Sequence, residues 1–316
     1  MKKVSLHEKS LCVQKKKGQL FKKTDRQLFL LCFPAIIKVF VFSFVPMLWF
    51  LIAFENFIPR RGIFGSPWTG FENLRILWQS ELPKLLGNAI ILQLGNMIFP
   101  LIVSLLLGLL LFEITSKVKQ KIFQTIMFFP YFISWSLVGA IVSSVIGDKG
   151  LLTGIIEKMT GERVAFYEMP QYWRFILVFM NVWKSAGVSA VLYYAILIGS
   201  DKSVYEAADL DGANRWEKIL YISLPQLKLM IMLGIIMGSA NLIRTDFSWI
   251  YYVSNNRSEL YEVTETIEVF MFNALRKDNN YCIGTAVGLF QSVIGLVLTV
   301  GANFISKKIS PESTLF

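Results

Sequence analysis

Six long apolar runs, separated by shorter polar segments, set the pattern of the chain. The runs are rich in Leu, Ile, Val and Phe, and each is about 20 to 28 residues long, enough for a tilted helix that crosses a bilayer. The pattern therefore predicts an all-α polytopic membrane protein with six transmembrane helices. The predicted spans are residues 28–54, 89–112, 122–146, 172–199, 227–247 and 282–306.

The first apolar run is predicted to remain in the mature protein. It is too long for the apolar core of a signal peptide, and no small-residue cleavage site follows it. We expect Pro34 and Pro46 to bend this helix, because proline removes a backbone donor and crowds the preceding turn.

Tyr and Trp residues near the outer ends of the later spans, among them Tyr167 and Trp249, are expected to form an interfacial belt.

Composition supports a membrane protein and excludes most soluble classes. The chain of 316 residues is 54% hydrophobic and 17% charged, whereas a soluble domain is about 45–50% apolar and about 25% charged. Its mean hydropathy is +0.52. These values exclude a disordered chain, a fibrous protein and almost every class of soluble enzyme.

Basic residues are concentrated in the N-terminal arm and in the loop between the second and third spans. Both segments lie on the same side of the membrane if the chain crosses it six times. The net charge is +10, and residues 1–27 contain nine Lys and Arg against two acids. The loop 113–121 contains Lys117, Lys119 and Lys121. Because cytoplasmic loops are enriched in Lys and Arg, both termini are predicted to be cytoplasmic. The predicted organisation is a basic arm (1–27), a six-helix domain (28–306) and a short tail (307–316), and we interpret the arm as a membrane anchor and not as a nucleic-acid-binding segment.

Common catalytic and cofactor motifs are missing from the sequence. There is no P-loop, no dinucleotide-binding glycine motif and no HExxH or CxxC pair. The only histidine is His7, and the three cysteines have neither metal-site nor disulfide-framework spacing. We therefore expect no catalytic residue, metal site or cofactor in this chain. If the protein transports a solute uphill, another chain is expected to supply the energy.

The polar segment 200–225, between the fourth and fifth spans, predicts two short helices. Ser203 and Glu206 have the spacing of a capping box, and Gly212 is suited to end the helix that follows. Asn214 and Glu217 have the same capping spacing at the start of a second short helix, which is predicted to run to about Tyr221 before Pro225 opens the fifth span. One interpretation is a helix pair that lies on the lipid surface.

A second interpretation rests on a resemblance of this segment to the EAA motif of permease subunits of ABC importers. The matching pattern is Glu206-Ala207-Ala208, three residues, Gly212, nine residues, Ile222, one residue and Leu224-Pro225. In that family the segment is a coupling element that docks in a cleft of the ATPase subunit. The resemblance implies the type I ABC importer permease fold and the following ATPase-coupling residues: Glu206, Ala207, Ala208, Asp211, Gly212, Ala213, Leu224 and Pro225.

Two further segments resemble the maltose-type carbohydrate-uptake permeases, in particular those for complex oligosaccharides. They are residues 58–74 and 284–303, and the whole resemblance extends over about residues 28–308. The segment 251–281 departs from it, because it lacks the Gly-Gly-Pro stretch that many sugar permeases have there.

The resemblance also implies a set of partners and a location. They are a second, different permease subunit, two ATPase subunits that bind ATP and Mg, an extracellular solute-binding protein and an oligosaccharide, in the lipid of a bacterial plasma membrane. The alternatives are a permease for a non-sugar solute and a membrane-embedded enzyme.

Polar residues inside two spans are the candidates for substrate contact. In the maltose-type family, sugar contacts come from the spans on either side of the coupling loop, and spacing transfers this role to Asn181, Trp183, Lys184, Gly238, Asn241 and Thr245. Aromatic faces and amide groups suit sugars, although the same residues could bond neighbouring helices together. Lys184 and Arg244 would suit an acidic sugar, such as a uronate-containing oligosaccharide.

Overall fold

A computed structural model describes residues 23–309 of the chain, so the expectations for the arm before residue 23 and for the tail after residue 309 lie outside the described residues. Within 23–309 the chain is helical, and its only β feature is an isolated bridge between Glu55 and Trp68. Six helical segments in this range are long and apolar enough to cross a membrane, as predicted. They are Gln27–Phe54, Leu82–Glu113, Trp135–Thr160, Pro170–Ile198, Arg215–Ala240 and Tyr281–Gly301.

The described residues fall into two compact units that divide between Phe50 and Leu51. The first unit contains helix α1 (Lys23–Val39), a π-helical turn (Phe40–Phe44) and the single turn Val45–Met47. Pro34 lies inside α1 without interrupting it. The π-turn directly precedes Pro46, where the amide of Val45 bonds the carbonyl of Phe40. A π-turn next to proline is expected, because proline removes a donor from the helical ladder.

The second unit begins with the last part of a 3₁₀ segment (Leu48–Phe54), which is followed by a loop. The short helix α2 (Glu72–Ser80) leads into α3 (Leu82–Glu113), which forms the second span. Helix α3 packs along the length of the fourth span, and Gly108 allows the contact, because a Cβ there would lie 2.9 Å from the carbonyl oxygen of Ala190.

The predicted continuous third span over residues 122–146 is wrong. The structure has α4 (Lys117–Phe128), an interruption at residues 129–134, and α5 (Trp135–Ile146), which α6 (Leu151–Thr160) extends. Pro130 opens a 3₁₀ turn within the interruption, and the hydroxyl of Ser134 caps α5 by accepting the amide of Leu137 at 3.3 Å. A proline followed by a good N-cap residue ends one helix and starts the next.

The fourth span is α7 (Pro170–Ile198), and the segment after it contains α8 (Lys202–Leu210) and α9 (Arg215–Lys218). The expected end of the second short helix near Tyr221 is wrong. Helix α9 continues through a π-turn (Ile219–Ser223) into α10 (Leu224–Ala240) as one helical segment. Pro225 is the second residue after the π-turn, so its missing N–H falls where the ladder is already widened.

The predicted extent of the fifth span, residues 227–247, is also wrong at its end. Helix α10 stops at Ala240, and α11 (Phe247–Val253) begins after an interruption of its own. Beyond α11 the chain forms the single turn Tyr261–Thr264, α12 (Ile267–Arg276) and α13 (Tyr281–Ile309). Helix α13 is the sixth span and begins one residue before its predicted start.

Two aromatic residues expected in an interfacial belt lie in the core instead. Tyr167 and Trp249 have no exposed surface and belong to a cluster formed by α3, α5, α7 and α11. The indole N–H of Trp249 donates to the carbonyl of Leu177 at 2.9 Å. Because the polar tip of each ring has a partner inside the protein, these aromatics can be fully buried.

Candidate functional site

The segment between the fourth and fifth spans starts with a helix whose cap differs from the predicted one. Asp201 caps α8, and its carboxylate accepts the amide of Ser203 at 2.9 Å. Ser203 is the second residue of the helix, so the capping box predicted for Ser203 and Glu206 is wrong. Hydrogen bonds from the backbone and side chain of Ser203 lower the pKa of Asp201, and the carboxylate acceptor is therefore ionised at neutral pH.

The end of α8 agrees with the prediction. Gly212 has a φ of +78°, its amide donates to Asp209, and the amide of Ala213 donates to Ala208 at 2.9 Å. This pair of bonds is a Schellman motif, which favours glycine at the left-handed position. A Cβ at Gly212 would have no neighbour within 4 Å among residues 23–309. A substitution there is therefore strained by the backbone alone, and the surface above Gly212 is open.

The second cap is also as predicted. Asn214 and Glu217 form a reciprocal capping box, with the amide of Asn214 donating to Glu217 at 2.6 Å and the amide of Glu217 donating to Asn214 at 3.0 Å. Lys218 forms an ion pair of 2.6 Å with Asp209, which ties the two short helices together. We refer to residues 201–218 as the elbow, since short-range bonds hold two helices at a fixed turn.

The elbow presents apolar and small residues to its surroundings. Leu210 is 90% exposed and Trp216 is 73% exposed. Among the predicted coupling residues, those with exposed side chains or an exposed backbone are Glu206, Ala207, Asp211, Gly212 and Pro225, whereas Ala208, Ala213 and Leu224 are half-buried. Large apolar side chains exposed on a rigid polar segment are typical of a protein interface.

A second cluster forms where two of the predicted apolar runs are interrupted. One interruption is residues 129–134, directly before the span Trp135–Thr160, and the other is residues 241–246, directly after the span Arg215–Ala240. The indole of Trp135 donates to the carboxylate of Asp246 at 3.0 Å. Asp246 also caps α11 by accepting the amide of Ser248 at 2.8 Å. We refer to these two segments as the paired breaks. Non-helical backbone within a membrane is tolerated only against protein or a water-filled cavity, and such broken helices line binding sites in other transporters.

Lys184, in the middle of α7, holds the first of the paired breaks. Its ammonium donates to the carbonyls of Pro130 (3.3 Å), Tyr131 (2.7 Å) and Ile133. It also lies 5.3 Å from the centre of the Trp135 ring. The three donors of the ammonium are thus matched by three backbone acceptors, so the position predicted for substrate contact is occupied by an internal bond network.

Two other predicted contact residues border a polar cavity of about 220 Å³ between α3, α7 and α10. Gly238 lines this cavity beside Met97, and Asn181 donates to Asn96, which lines it from α3. Gln93 also lines it, and its side-chain oxygen is buried without a hydrogen-bond partner among the described residues. A buried acceptor without a partner is costly, and it is a ready partner for a water or a ligand hydroxyl.

The remaining predicted contact residues are not part of that cavity. Trp183 is 41% exposed and lines an apolar cavity of about 770 Å³ on another side of α7. Asn241 ends α10 and donates to the carbonyl of Met237 at 2.9 Å. Thr245 is buried, where its hydroxyl donates to the carboxylate of Glu268 and lies 2.8 Å from the hydroxyl of Thr266. Thus the six predicted residues are distributed over five distinct environments.

The family of the chain follows from a sequence comparison. The profile of the family described as "Binding-protein-dependent transport system inner membrane component" matches residues 101–311, more than half of the chain. The chain belongs to this family. It is a multi-pass permease component of an ABC importer, which confirms the predicted class and the all-α fold.

Similar proteins cover nearly all of this permease. It is 32% identical to Protein LplB of Bacillus subtilis over 92% of this chain and 91% of that protein. It is 31% identical to the "Polygalacturonan/rhamnogalacturonan transport system permease protein YteP" of Bacillus subtilis, over 95% and 94% of the two chains. A crystal structure of a bacterial ABC transporter involved in the import of the acidic polysaccharide alginate has a TM-score of 0.81 at 29% identity, over 91% of this chain and 97% of that one.

Several residues of the permease that surround these sites were absent from the sequence prediction. Gln93 and Asn96 lie in the second span, Tyr131 lies within the first of the paired breaks, and Trp135 directly follows that break. The two amides interrupt an otherwise apolar run, and a polar group inside a span is a usable signal because it must find a partner there. Tyr131 and Trp135 carried no comparable signal. Their contacts depend on the helix break at residues 129–134, and the apolar pattern of this run does not indicate a break.

Proposed function

We propose that this permease takes up an acidic, uronate-containing oligosaccharide, and that Arg244 is the residue that attracts its carboxylates. Arg244 lies within the second of the paired breaks, two residues before Asp246, and its side chain is exposed. Its guanidinium takes part in none of the ion pairs or side-chain hydrogen bonds among the described residues. Arg244 lies four residues beyond the end of the span Arg215–Ala240, where a guanidinium without a partner among the described residues is available to bind an anion.

The names of similar proteins support an acidic substrate. YteP is named for polygalacturonan and rhamnogalacturonan, and the similar solved structures belong to an importer of the acidic polysaccharide alginate. One of these structures contains a periplasmic protein bound to an alginate pentasaccharide. Arginine is well suited to such ligands, because its planar fork binds a carboxylate with two parallel hydrogen bonds.

The proposed importer contains further subunits. They are a second, different permease, two ATPase subunits that bind ATP and Mg, and an extracellular solute-binding protein, in a bacterial plasma membrane with both termini of this chain cytoplasmic. The exposed apolar side chains of the elbow support its docking on an ATPase subunit. Each partner would stabilise one conformation of the permease more than the other, which is the condition for alternating access.

A single helical segment connects the elbow to the proposed substrate site. The segment Arg215–Ala240 begins at the second cap of the elbow and ends where the second of the paired breaks begins. Its 26 residues span about 39 Å at 1.5 Å per residue. A displacement of the elbow by an ATPase subunit would therefore move the backbone next to Arg244 directly.

The proposal is tested with a pair of substrates that differ only in charge. Binding of an oligogalacturonate and of its methyl ester is measured by calorimetry on the assembled permease–ATPase complex without binding protein, so that the binding protein's own preference does not enter. Arg244→Gln should weaken binding of the acid about tenfold or more, which corresponds to about 1.4 kcal/mol or more, and leave the ester unchanged. Arg244→Lys should lie between them.

Arg276 provides the control, because it lies outside the paired breaks in α12 and is also part of no ion pair among the described residues. Arg276→Gln should bind both sugars as the wild type does. Equal binding of acid and ester by the wild type, or an unchanged affinity in Arg244→Gln, would contradict the proposal.

A further inference from the structure

One side of α5 carries hydroxyl groups, although α5 belongs to a predicted span. Ser136 and Ser144 are exposed, Ser143 is half-buried, and all three line a polar groove of about 640 Å³ between α5 and α11. The other exposed side of the same helix is apolar, with Ile141 and Val145 one turn apart. Polar groups facing lipid are costly, so the two sides of α5 are suited to different surroundings.

The floor of this groove is rigid. Gly139 brings α5 against α11, since a Cβ there would lie 2.2 Å from the carbonyl oxygen of Tyr252, which also lines the groove. Such a close approach is available only to glycine. The hydroxyls of α5 are therefore held in a fixed position relative to α11.

The outer end of the groove is polar and well supported. Arg257 lies over the ring of the buried Tyr167 at 4.4 Å and forms an ion pair of 3.6 Å with Asp148. The side-chain amide of Asn255 donates to the hydroxyl of Tyr167 at 3.1 Å, which leaves its carbonyl oxygen available to a ligand. Tyr167 thus positions a cation and an amide at the rim of the groove.

The inner end of the groove meets the paired breaks. Ser136 directly follows Trp135, whose indole joins the two breaks through Asp246. From Ser136 to Gly147, which also lines the groove, α5 rises about 16 Å. The side of α5 that lines the groove therefore extends from the proposed substrate site to the far end of the helix, with a hydroxyl near each end.

We propose that this groove is a second sugar-binding subsite, which holds the outer part of an extended oligosaccharide while its leading residue occupies the paired breaks. The lining matches the chemistry of such a ligand, with serine hydroxyls and an amide for sugar hydroxyls and a guanidinium for a carboxylate at the rim. This inference rests on the proposed uptake of oligosaccharides, and it adds that long chains are bound at two places.

The test uses single cysteines on the two sides of α5 in the complete importer, with the native cysteines replaced. Ser136→Cys and Ser144→Cys are compared with Ile141→Cys and Val145→Cys in proteoliposomes during turnover with ATP and binding protein. A membrane-impermeant cationic thiol reagent should label the first pair and spare the second. An oligogalacturonate at about ten times its Kd should slow this labelling about tenfold, whereas a disaccharide should not.

A double variant gives a second readout that does not depend on labelling. Ser136→Ala with Ser144→Ala should weaken binding of the long oligosaccharide severalfold and leave the disaccharide unchanged. The inference is overturned if the serine-side cysteines are unreactive, if both sides label equally, or if the long oligosaccharide gives no protection. It is also overturned if the disaccharide protects equally well. If a neutral oligosaccharide of the same length protects as well as the acidic one, the groove proposal stands and the acidic preference fails.

Discussion

The elbow and the paired breaks are both polar interruptions of an apolar chain, but bonds of different range hold them. In the elbow, the caps of both helices and the Gly212 motif join residues two to five positions apart. In the paired breaks, Lys184 reaches carbonyls more than 50 positions away, and the bond from Trp135 to Asp246 spans 111 positions. An elbow of this kind can keep its shape while it moves, whereas the breaks keep theirs only while three spans stay together.

The largest effect is expected at Gly212, where a substitution tests whether the elbow docks on the ATPase subunit or only ends a helix. Gly212→Asp should insert normally but abolish uptake and either ATPase binding or binding-protein-stimulated hydrolysis. A side chain at positive φ costs about 1–2 kcal/mol, and here it would also put a charge where the partner is proposed to dock. Pull-down of the ATPase subunit and hydrolysis in proteoliposomes measure the two functions.

Gly161 is a matched control for this variant. It ends α6 with a φ of +76°, and a Cβ there would also have no neighbour within 4 Å in the part of the chain that the structure describes. Gly161→Asp therefore introduces the same backbone strain and the same charge outside the elbow, and it should transport at close to the wild-type rate. Wild-type coupling in Gly212→Asp would mean that the elbow is only a helix pair on the lipid surface.

The next effect tests whether the paired breaks depend on distant contacts. Lys184→Met keeps an unbranched side chain but leaves three backbone carbonyls without their charged donor, each such bond contributing about 1.5–3 kcal/mol. We expect uptake to fall more than tenfold while the ATPase partner still binds. Uptake and pull-down of the same preparation provide the measurement.

Lys228→Met is the control, because Lys228 is exposed on α10 and has no side-chain bond among the described residues. It should leave uptake nearly unchanged. If Lys184→Met behaves in the same way, the carbonyls at the break do not need the ammonium, and the contrast with the elbow is weaker than proposed.

A smaller effect is expected at the bond between the two breaks. Trp135→Phe removes the indole donor to Asp246 but keeps an aromatic ring beside Lys184. The lost bond to a carboxylate should lower stability by about 1.5–3 kcal/mol at most, which thermal unfolding of the purified permease would detect. The helix cap that Asp246 provides for α11 should remain, so uptake should decrease only partly. A complete loss of uptake would show that the indole itself contacts the substrate.

The smallest effect is expected at the cap of α8. Asp201→Asn should behave as the wild type at neutral pH, because asparagine caps helices as well as aspartate, whereas Asp201→Ala should speed hydrogen exchange in α8. The pKa of Asp201 is lowered from 3.8 by its bonds to Ser203, so its stabilising effect is complete above that value and is lost only as the pH falls through the lowered pKa. Between pH 5 and pH 8, about the working range of most proteins, α8 should show no pH dependence from this group. A change in exchange within that range would contradict this.

The sequence predicts the elbow, which short-range bonds hold, better than the paired breaks, which long-range bonds hold. The capping box of Asn214 and Glu217 and the end at Gly212 were predictable, since all the bonding partners are adjacent in the chain. The cap predicted at Ser203 failed because Asp201, two residues earlier, has an equally suitable side chain, and spacing alone does not decide between them.

The paired breaks could not be predicted from the same kind of signal. Pro130 marks a break, but Pro100 lies inside the uninterrupted α3. Whether a proline breaks a helix depends on whether the carbonyls that lose their helical partner find another donor. At the first break that donor is Lys184, which lies in a different span. Burial of Tyr167 and Trp249 likewise depends on carbonyls supplied by other segments, so their place in the core was hidden from composition and periodicity.

The π-turn at Ile219–Ser223 sets the azimuth of the side chains at the far end of the fifth span. A π-turn contains one residue more than the α-helical turn it replaces, so it takes up one residue without changing the phase of the helix beyond it. If the same residues were wound as a regular α-helix, everything beyond the turn would be rotated by about 100° about the helix axis. Gly238 would then turn away from the cavity beside Met97, and the break that holds Arg244 would begin at a different azimuth. The azimuthal phase of this helix is therefore set by a single turn next to the elbow, far from the side chains that it orients.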